Sequence, residues 1–156
     1  MERTEATERV LWMDSPVGAL TLISDGSALT HLLFGHLKAE TEADGVLREA
    51  RRQLDEYFAG QRREFDLPLR PSGTEFQLRV WQALREIPYG QTATYADIAR
   101  AIGRPKAFRA VGQANHVNPI SIIVPCHRVV GSDGSLTGYG GGLAVKTALL
   151  TRESQN

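Results

Sequence analysis

The sequence predicts an α+β fold, in which a small N-terminal antiparallel sheet with a covering helix precedes a mainly helical C-terminal domain. Three observations support this prediction. Short apolar runs separated by turn residues lie between positions 10 and 34, a helical apolar pattern follows them, and capped helical patterns begin at Thr74. A chain of 156 residues accommodates one domain or two small ones. We expect two domains, 1–70 and 71–156.

The first domain is predicted to contain three strands and one helix. Apolar runs over 10–13, 19–24 and 28–34 are separated by clusters of Gly, Asp, Ser and Pro, which are typical of turns. Apolar side chains between Val46 and Phe58 then recur at helical spacing, and Gly60 follows them. The next segment, 61–73, holds two prolines and a glycine, and we expect it to be a linker.

The second domain opens with a strong helix start. Thr74 to Gln77 matches a capping box, in which the threonine hydroxyl and the Gln77 side chain satisfy each other's backbone N–H groups. An apolar stripe then continues to Ile87, and the run 88–90, Pro-Tyr-Gly, is expected to end this helix.

Two shorter helices follow and form a helix-turn-helix pattern. Thr94 is a capping residue for a helix over 95–101 that Gly103 closes, and a third helix is predicted over 106–115. The third helix is unusually small-sided, with Ala107, Ala110, Gly112 and Ala114. Small residues allow close approach of another surface. Two interpretations remain open: tight packing against a neighbouring helix, or entry into a groove of DNA with Arg109 as a cationic finger.

Composition excludes several classes of protein. Hydrophobic residues make up 42% and charged residues 23%, as in globular domains. One cysteine cannot form an internal disulfide, and the four histidines are scattered, so we predict no metal and no cofactor. No run reaches the roughly 20 apolar residues of a membrane helix, and residues 1–9 lack the apolar core of a signal peptide. We therefore expect a reduced, cytoplasmic protein without a membrane partner.

The net charge of zero hides an asymmetry. Residues 1–73 carry nine basic and thirteen acidic side chains, whereas residues 74–128 carry seven and three. A basic middle segment is compatible with a polyanionic partner, and equally with an ordinary solvated face.

Cys126 is the strongest candidate functional residue. It lies in the run Pro125-Cys126-His127, after β-branched residues. A cysteine attacks as the thiolate, and a nearby imidazole is a common means of forming one. Taken alone, a single cysteine is more often a small buried hydrophobe.

The wider sequence resembles a known family, the O6-alkylguanine-DNA alkyltransferases, also called methylated-DNA–protein-cysteine methyltransferases. The resemblance is dense over about half of the chain and looser over 10–60. Its blocks are FQLRVW (76–81), IPYG (87–90), TY (94–95), RAVG (109–112), NP (118–119), PCHR (125–128), LTGYGGG (136–142) and LLTRE (149–153).

The resemblance implies direct repair of DNA by a suicide enzyme. O6-alkylguanine would be flipped out of the duplex, and its alkyl group would pass irreversibly to Cys126 in one SN2 step. His127 would accept the thiol proton through a water, and Glu153 would orient the imidazole. Asn118 would rigidify the turn before the cysteine. Activity on O4-alkylthymine remains open.

The resemblance also implies a winged helix-turn-helix-like DNA-binding motif. Arg109 would fill the space of the flipped base, Tyr95 would crowd the 3′ phosphate, and the small Ala110 and Gly112 would lie against DNA. The carbonyls of Cys126 and Val129 would accept from the guanine amine. Backbone N–H groups near Tyr139 and Gly140 would polarise O6, and Gly140 predicts a pocket that takes groups larger than methyl. Arg128 is either a phosphate ligand or a structural residue.

The expected partner is double-stranded DNA containing O6-alkylguanine, bound through the minor groove with little sequence preference. We expect a monomer, and cooperativity on DNA remains open. One alternative is a non-catalytic alkylguanine-binding protein that recruits other repair factors. A second is a Cys-His hydrolase or thiol sensor, which would need an oxyanion hole or a second cysteine.

Overall fold

Three antiparallel strands begin the fold: β1 (Arg9–Met13), β2 (Leu20–Ser24) and β3 (Leu29–Phe34), paired in that order. The structure, a computed structural model, describes residues 8–155. Residues 1–7, which hold most of the segment judged not to be a signal peptide, and residue 156 lie outside the described range. Arg9 is opposite Ser24 and Met13 is opposite Leu20, so the first ladder is in register along its full length.

One helix, α1 (Gly45–Phe58), covers this sheet and packs against all three strands. Asp44 caps its first turn, because the carboxylate accepts from the Leu47 N–H at 2.9 Å. The helix buries the predicted apolar face, including Leu54 and Tyr57. The predicted sheet and covering helix are therefore confirmed.

The segment predicted to be a linker is instead attached to the sheet, so that prediction is wrong. Leu69 forms a parallel bridge to Leu29, whose N–H donates to the Pro68 carbonyl and whose carbonyl accepts from Arg70 N, both at 2.8 Å. β3 would otherwise present unpaired N–H and C=O groups at the edge of the sheet. Buried Gln53 adds two hydrogen bonds to the backbone of Asp66.

The second unit starts with α2 (Glu75–Leu84), and Thr74 and Gln77 form the predicted capping box. The helix ends at Leu84, earlier than the stripe to Ile87 suggested. The chain tightens into a turn, in which Ile87 N donates to the Leu84 carbonyl at 3.1 Å and Ile87 remains buried. The apolar stripe thus continued beyond the helix itself.

The helix-turn-helix pattern is formed by α3 (Tyr95–Ala101) and α4 (Phe108–His116), which pack against each other. α4 starts two residues later than predicted, because residues 104–107 form a turn closed by the hydrogen bond from Ala107 N to Arg104 O. A short parallel ladder of β4 (Ala93–Thr94) and β5 (Val129–Val130) accompanies the two helices.

The chain closes with α5 (Leu143–Gln155), which periodicity did not predict. The buried positions of α5 are Lys146, Leu149 and Glu153, so two of its three inward side chains are ionisable. An apolar stripe cannot mark such a helix. The chain divides into two compact units, Met1–Ser72 and Gly73–Asn156, and the α+β class is confirmed. Between residues 8 and 155, no helix has both the length and the apolar content needed to cross a bilayer.

Candidate active site around Cys126

Cys126 lies at the start of a short 3-10 turn, Cys126–Arg128, which leads directly into β5. The residue is buried, with 3% of its surface exposed. Asn118 braces the segment before it, because Nδ2 donates to the Val124 carbonyl at 2.9 Å and Oδ1 accepts from Ile120 N at 3.0 Å. The Asn118 side chain also acts to lower the pKa of the Cys126 thiol. One asparagine therefore orders the backbone before the sulfur and favours the thiolate.

A strained residue lies in the braced segment. Ile122 has φ of 72°, although it is β-branched and buried. A left-handed conformation of this kind costs about 1–3 kcal/mol and persists only where the surrounding structure enforces it. Here the enforcing contacts include the hydrogen bond from Val124 N to Ile120 O at 3.0 Å. The path of the chain into Cys126 is therefore determined by its surroundings rather than by local preference.

His127 and Glu153 form a buried pair beside the cysteine. His127 Nε2 lies 2.8 Å from Glu153 Oε2, and neither side chain is exposed. The pair connects the 3-10 turn to the last turn of α5. His127 Nδ1 is also buried, and no hydrogen-bond partner for it exists within residues 8–155. Nδ1 is therefore the ring atom that can accept a proton.

Arg128 shares the same carboxylate. Its Nε donates to Glu153 Oε1 at 2.8 Å, its Nη2 donates to Oε2 at 3.0 Å, and its Nη1 donates to the Ile87 carbonyl at 2.7 Å. The guanidinium lies 5.6 Å from the centre of the Tyr89 ring, and the residue is 6% exposed. All three nitrogens bond inside the unit, which favours the structural interpretation of Arg128, and its contact with a DNA phosphate stays a prediction.

Burial favours the protonated form of the thiol. It raises the pKa of Cys126, and the polar side chains of Asn118 and Tyr139 together with the charge of Lys146 oppose that rise. A nucleophilic thiolate therefore requires a base to remove the proton.

The imidazole is suited to that task. Burial lowers the pKa of His127, whereas the hydrogen bond and charge of Glu153 raise it. The charges of Arg128 and Lys146 act in the same direction as burial. A neutral ring with a free acceptor nitrogen can accept a proton from the thiol.

Lys146 is a site residue that sequence reasoning missed. It is fully buried, and its Nζ donates to the Val129 carbonyl at 2.6 Å and to the Thr137 carbonyl at 3.4 Å. Burial lowers the pKa of Lys146, and the negative charge of a Cys126 thiolate opposes the effect. Among the described residues, no carboxylate forms a salt bridge with it. In the sequence this lysine looks like any surface lysine of a helix, so no signal marked it.

The two carbonyls expected to bind a guanine amine already accept internal hydrogen bonds. Val129 O accepts from Lys146, and Cys126 O accepts from Asn115 Nδ2 at 3.3 Å. A carbonyl oxygen has two lone pairs, and the Cys126 oxygen also accepts from the Val129 N–H, so both of its acceptor positions have partners inside the unit. Asn115 is thus a second residue that the sequence did not reveal.

The loop between β5 and α5 contributes Tyr139 to the site. Tyr139 is buried, and its side chain acts to lower the pKa of the Cys126 thiol, against the effect of burial. The Tyr95 hydroxyl contacts the Thr137 hydroxyl in a short hydrogen bond, which ties α3 to this loop. A Cβ placed on Gly140 would meet nothing within 4 Å. The structure therefore places Tyr139 at the cysteine, joins Tyr95 to the same loop through Thr137, and leaves space at Gly140.

Arg109 and Ala110 lie elsewhere, on the exposed face of α4. They line an open groove of about 670 Å³, together with Phe76, Gly112 and His116 among others. A Cβ on Gly112 would lie 3.7 Å from the Tyr95 ring, so this glycine lies where α4 faces the first residue of α3. Within residues 8–155, no group of three or more His, Cys, Asp or Glu side chains could hold a metal ion.

Family models match both parts of the chain. Residues 10–71 match the ribonuclease-like domain of 6-O-methylguanine DNA methyltransferase, and residues 75–155 match its DNA-binding domain. Curated relatives agree. A methylated-DNA–protein-cysteine methyltransferase of Methanosarcina barkeri is 52% identical over 151 residues, covering 92% of this chain and 96% of the relative. One from Mycobacterium leprae is 53% identical over 147 residues, covering 90% and 89%.

Solved structures show the same similarity. The crystal structure of the Mycobacterium tuberculosis O6-methylguanine methyltransferase has a TM-score of 0.87 and 51% identity, covering 95% of this chain and 93% of that one. The structure of the M. tuberculosis protein in complex with DNA has a TM-score of 0.85 and 52% identity, covering 95% and 92%. These matches confirm the resemblance seen in the sequence blocks. The chain belongs to the 6-O-methylguanine DNA methyltransferase family.

Proposed function

We propose that this chain repairs DNA by transferring an alkyl group from O6-alkylguanine to Cys126. The observation that carries the proposal is a single buried thiol next to a buried His127–Glu153 pair, in a protein without a second cysteine. Its membership of the family supports DNA-repair alkyl transfer as the activity. The names of its relatives support methylated DNA as the substrate and a protein cysteine as the acceptor.

The reaction proceeds in one displacement. His127 Nδ1 takes the thiol proton through a water, and the resulting thiolate attacks the alkyl carbon. The S–C bond forms while the C–O6 bond breaks, and the electron pair leaves with guanine. Backbone N–H groups near Tyr139 and Gly140 stabilise the charge that develops on O6. The thioether is stable and no group in the site removes it, so each protein molecule reacts once.

The target base must leave the duplex to reach a buried thiol. In this proposal, Tyr95 rotates the nucleotide by crowding its 3′ phosphate, and Arg109 fills the vacated place in the stack. The exposed face of α4 enters the minor groove, whose base edges carry little sequence information. Binding then depends mainly on phosphate contacts and weakens as salt rises.

The two domains divide the work. We assign DNA binding and chemistry to 71–156, and a structural role to 1–70. We also assign a monomer that works in the cytoplasm, where a reducing environment protects the thiol. O4-alkylthymine is a further candidate substrate for the same displacement.

Intact-mass spectrometry tests the proposal directly. The protein is mixed with a duplex carrying one O6-methylguanine, beside a Cys126→Ser control. We expect a stoichiometric mass gain corresponding to one methyl in place of one hydrogen, on the wild type only. An unchanged mass with retained, damage-selective binding would instead identify a non-catalytic reader that recruits other factors. An adduct lost by hydrolysis would point to the hydrolase alternative.

A further inference from the structure

Arg128 has no role in the proposed displacement, yet it is the most completely bonded cation in the site. Two of its nitrogens hold Glu153 as a fork, at 2.8 and 3.0 Å, and the third donates to the Ile87 carbonyl. Glu153 Oε2 accepts from both Arg128 and His127. A buried guanidinium that shares one carboxylate oxygen with an imidazole will affect the state of that imidazole.

The first effect is on the position of the ring proton. An ionised carboxylate can only accept hydrogen bonds, and the bidentate contact with the Arg128 guanidinium favours the ionised form of Glu153. His127 Nε2 must therefore carry a hydrogen to make its 2.8 Å contact. In the neutral ring, Nδ1 is then the lone-pair nitrogen, and Nδ1 is the atom without a partner among residues 8–155.

The second effect is on the charge of the ring. A buried carboxylate paired only with histidine would favour the imidazolium, which has no lone pair with which to accept the thiol proton. The charged groups that act on His127 are Glu153 on one side and the cations Arg128 and Lys146 on the other. The Arg128 fork neutralises Glu153 at the oxygen that faces the ring.

We propose that Arg128 is a positioning residue that keeps His127 neutral, with the Nε2–H tautomer, so that Nδ1 is available to the thiol. The proposal rests on the proposed function of His127 as the base. It differs from a purely structural role, because it assigns Arg128 control over the tautomer and charge of a ring that it acts on only through Glu153.

Imidazole nitrogen NMR of the protein without DNA reads this state directly. We expect the wild type to show neutral His127 protonated at Nε2 at pH 7. In Arg128→Met, His127 is expected to be the imidazolium at the same pH. The acid limb of the single-turnover methyl-transfer rate should then move up by about one pH unit or more, so that the rate at a pH on that limb falls about tenfold.

Two further variants separate charge from geometry. Arg128→Lys keeps the charge and loses the fork, so the ring should remain neutral while the rate falls. In the double variant Arg128→Met with Glu153→Gln, both charges are gone and an amide oxygen can accept from Nε2. The double variant should therefore return to the neutral tautomer, with its acid limb closer to that of the wild type than the limb of Arg128→Met.

The outcomes are decisive in either direction. If Arg128→Met lowers only the thermal midpoint, with His127 still neutral and the pH profile unchanged, Arg128 is purely structural. If that variant does not fold, the wild type and the double variant decide. A wild-type ring that is charged, or protonated at Nδ1, overturns the proposal. Failure of the wild type to gain a methyl overturns the proposed function instead, and that mass measurement does not involve the NMR signal.

Discussion

Replacing Gly112 with alanine is expected to stabilise the second unit and to weaken its binding to DNA. A glycine inside a helix costs about 0.5–1 kcal/mol relative to alanine. Gly112 lies within α4 without a left-handed φ, and the added Cβ would meet the Tyr95 ring at 3.7 Å, an ordinary van der Waals distance. No strain offsets the gain. We expect the full 0.5–1 kcal/mol, or a rise in Tm of about 1–4 °C for a chain of this size.

The DNA effect has the opposite sign. The added methyl thickens a helix proposed to lie against the minor groove, and we expect Kd for an undamaged duplex to rise about threefold or more, roughly 0.7 kcal/mol. Gly103→Ala is the matched control. Its φ of 78° is unfavourable for alanine although space is free around it, so its Tm should fall.

Thermal unfolding and fluorescence anisotropy measure both effects on the same samples. A lower Tm for Gly112→Ala would show that the helix is small-sided for packing. A higher Tm with unchanged Kd would show that DNA does not approach α4 at this point. Either result would refute the reasoning.

Three more substitutions have defined expectations. Lys146→Met removes the positive charge that opposes the raised pKa of Cys126, so the pKa of Cys126 should rise further, by about one unit. The rate of alkylation by iodoacetamide as a function of pH measures this pKa, and Lys146→Arg should change the pKa less. Gly140→Leu adds a large side chain in open space, so the rate of benzyl transfer should fall about tenfold, a loss of roughly 1.4 kcal/mol, while the rate of methyl transfer changes little. Equal losses for both groups would contradict the idea that the space at Gly140 selects alkyl groups by size. Trp81→Phe breaks the buried 2.8 Å bond to the Ala114 carbonyl and should lower the free energy of unfolding by about 1–3 kcal/mol in urea titration, with an unchanged m-value.

Much of the fold could be predicted because its local signals agree with the final packing. The turn residues before β2 and β3, the capping boxes at Thr74 and Thr94, and the apolar face of α1 all acted over a few positions. The segment near Leu69 could not be predicted, because its pairing with β3 depends on residues 40 positions earlier in the chain.

The site was predictable only in part for a similar reason. Cys126 and His127 are neighbours in sequence, and the sequence blocks of the family indicated Glu153. No neighbouring residue in the sequence indicates that Lys146 is unusual, because its distinctive feature is burial with a hydrogen bond to the Val129 carbonyl. From the sequence, Arg128 could be a DNA contact or a structural residue, and the bonds of its three nitrogens inside the unit favour the second interpretation.

The position of Glu153 in the last turn of α5 couples catalysis to the local order of the chain. Terminal helical turns fray with little free energy, and their amide protons exchange readily. Here His127 and Arg128 both bond to the Glu153 side chain and so hold the last turn in place. Unwinding of that single turn would detach the carboxylate from the base while most of the core stayed intact. Amide exchange at residues 152–155 should therefore report on whether a given molecule is ready to react, even before any DNA is bound.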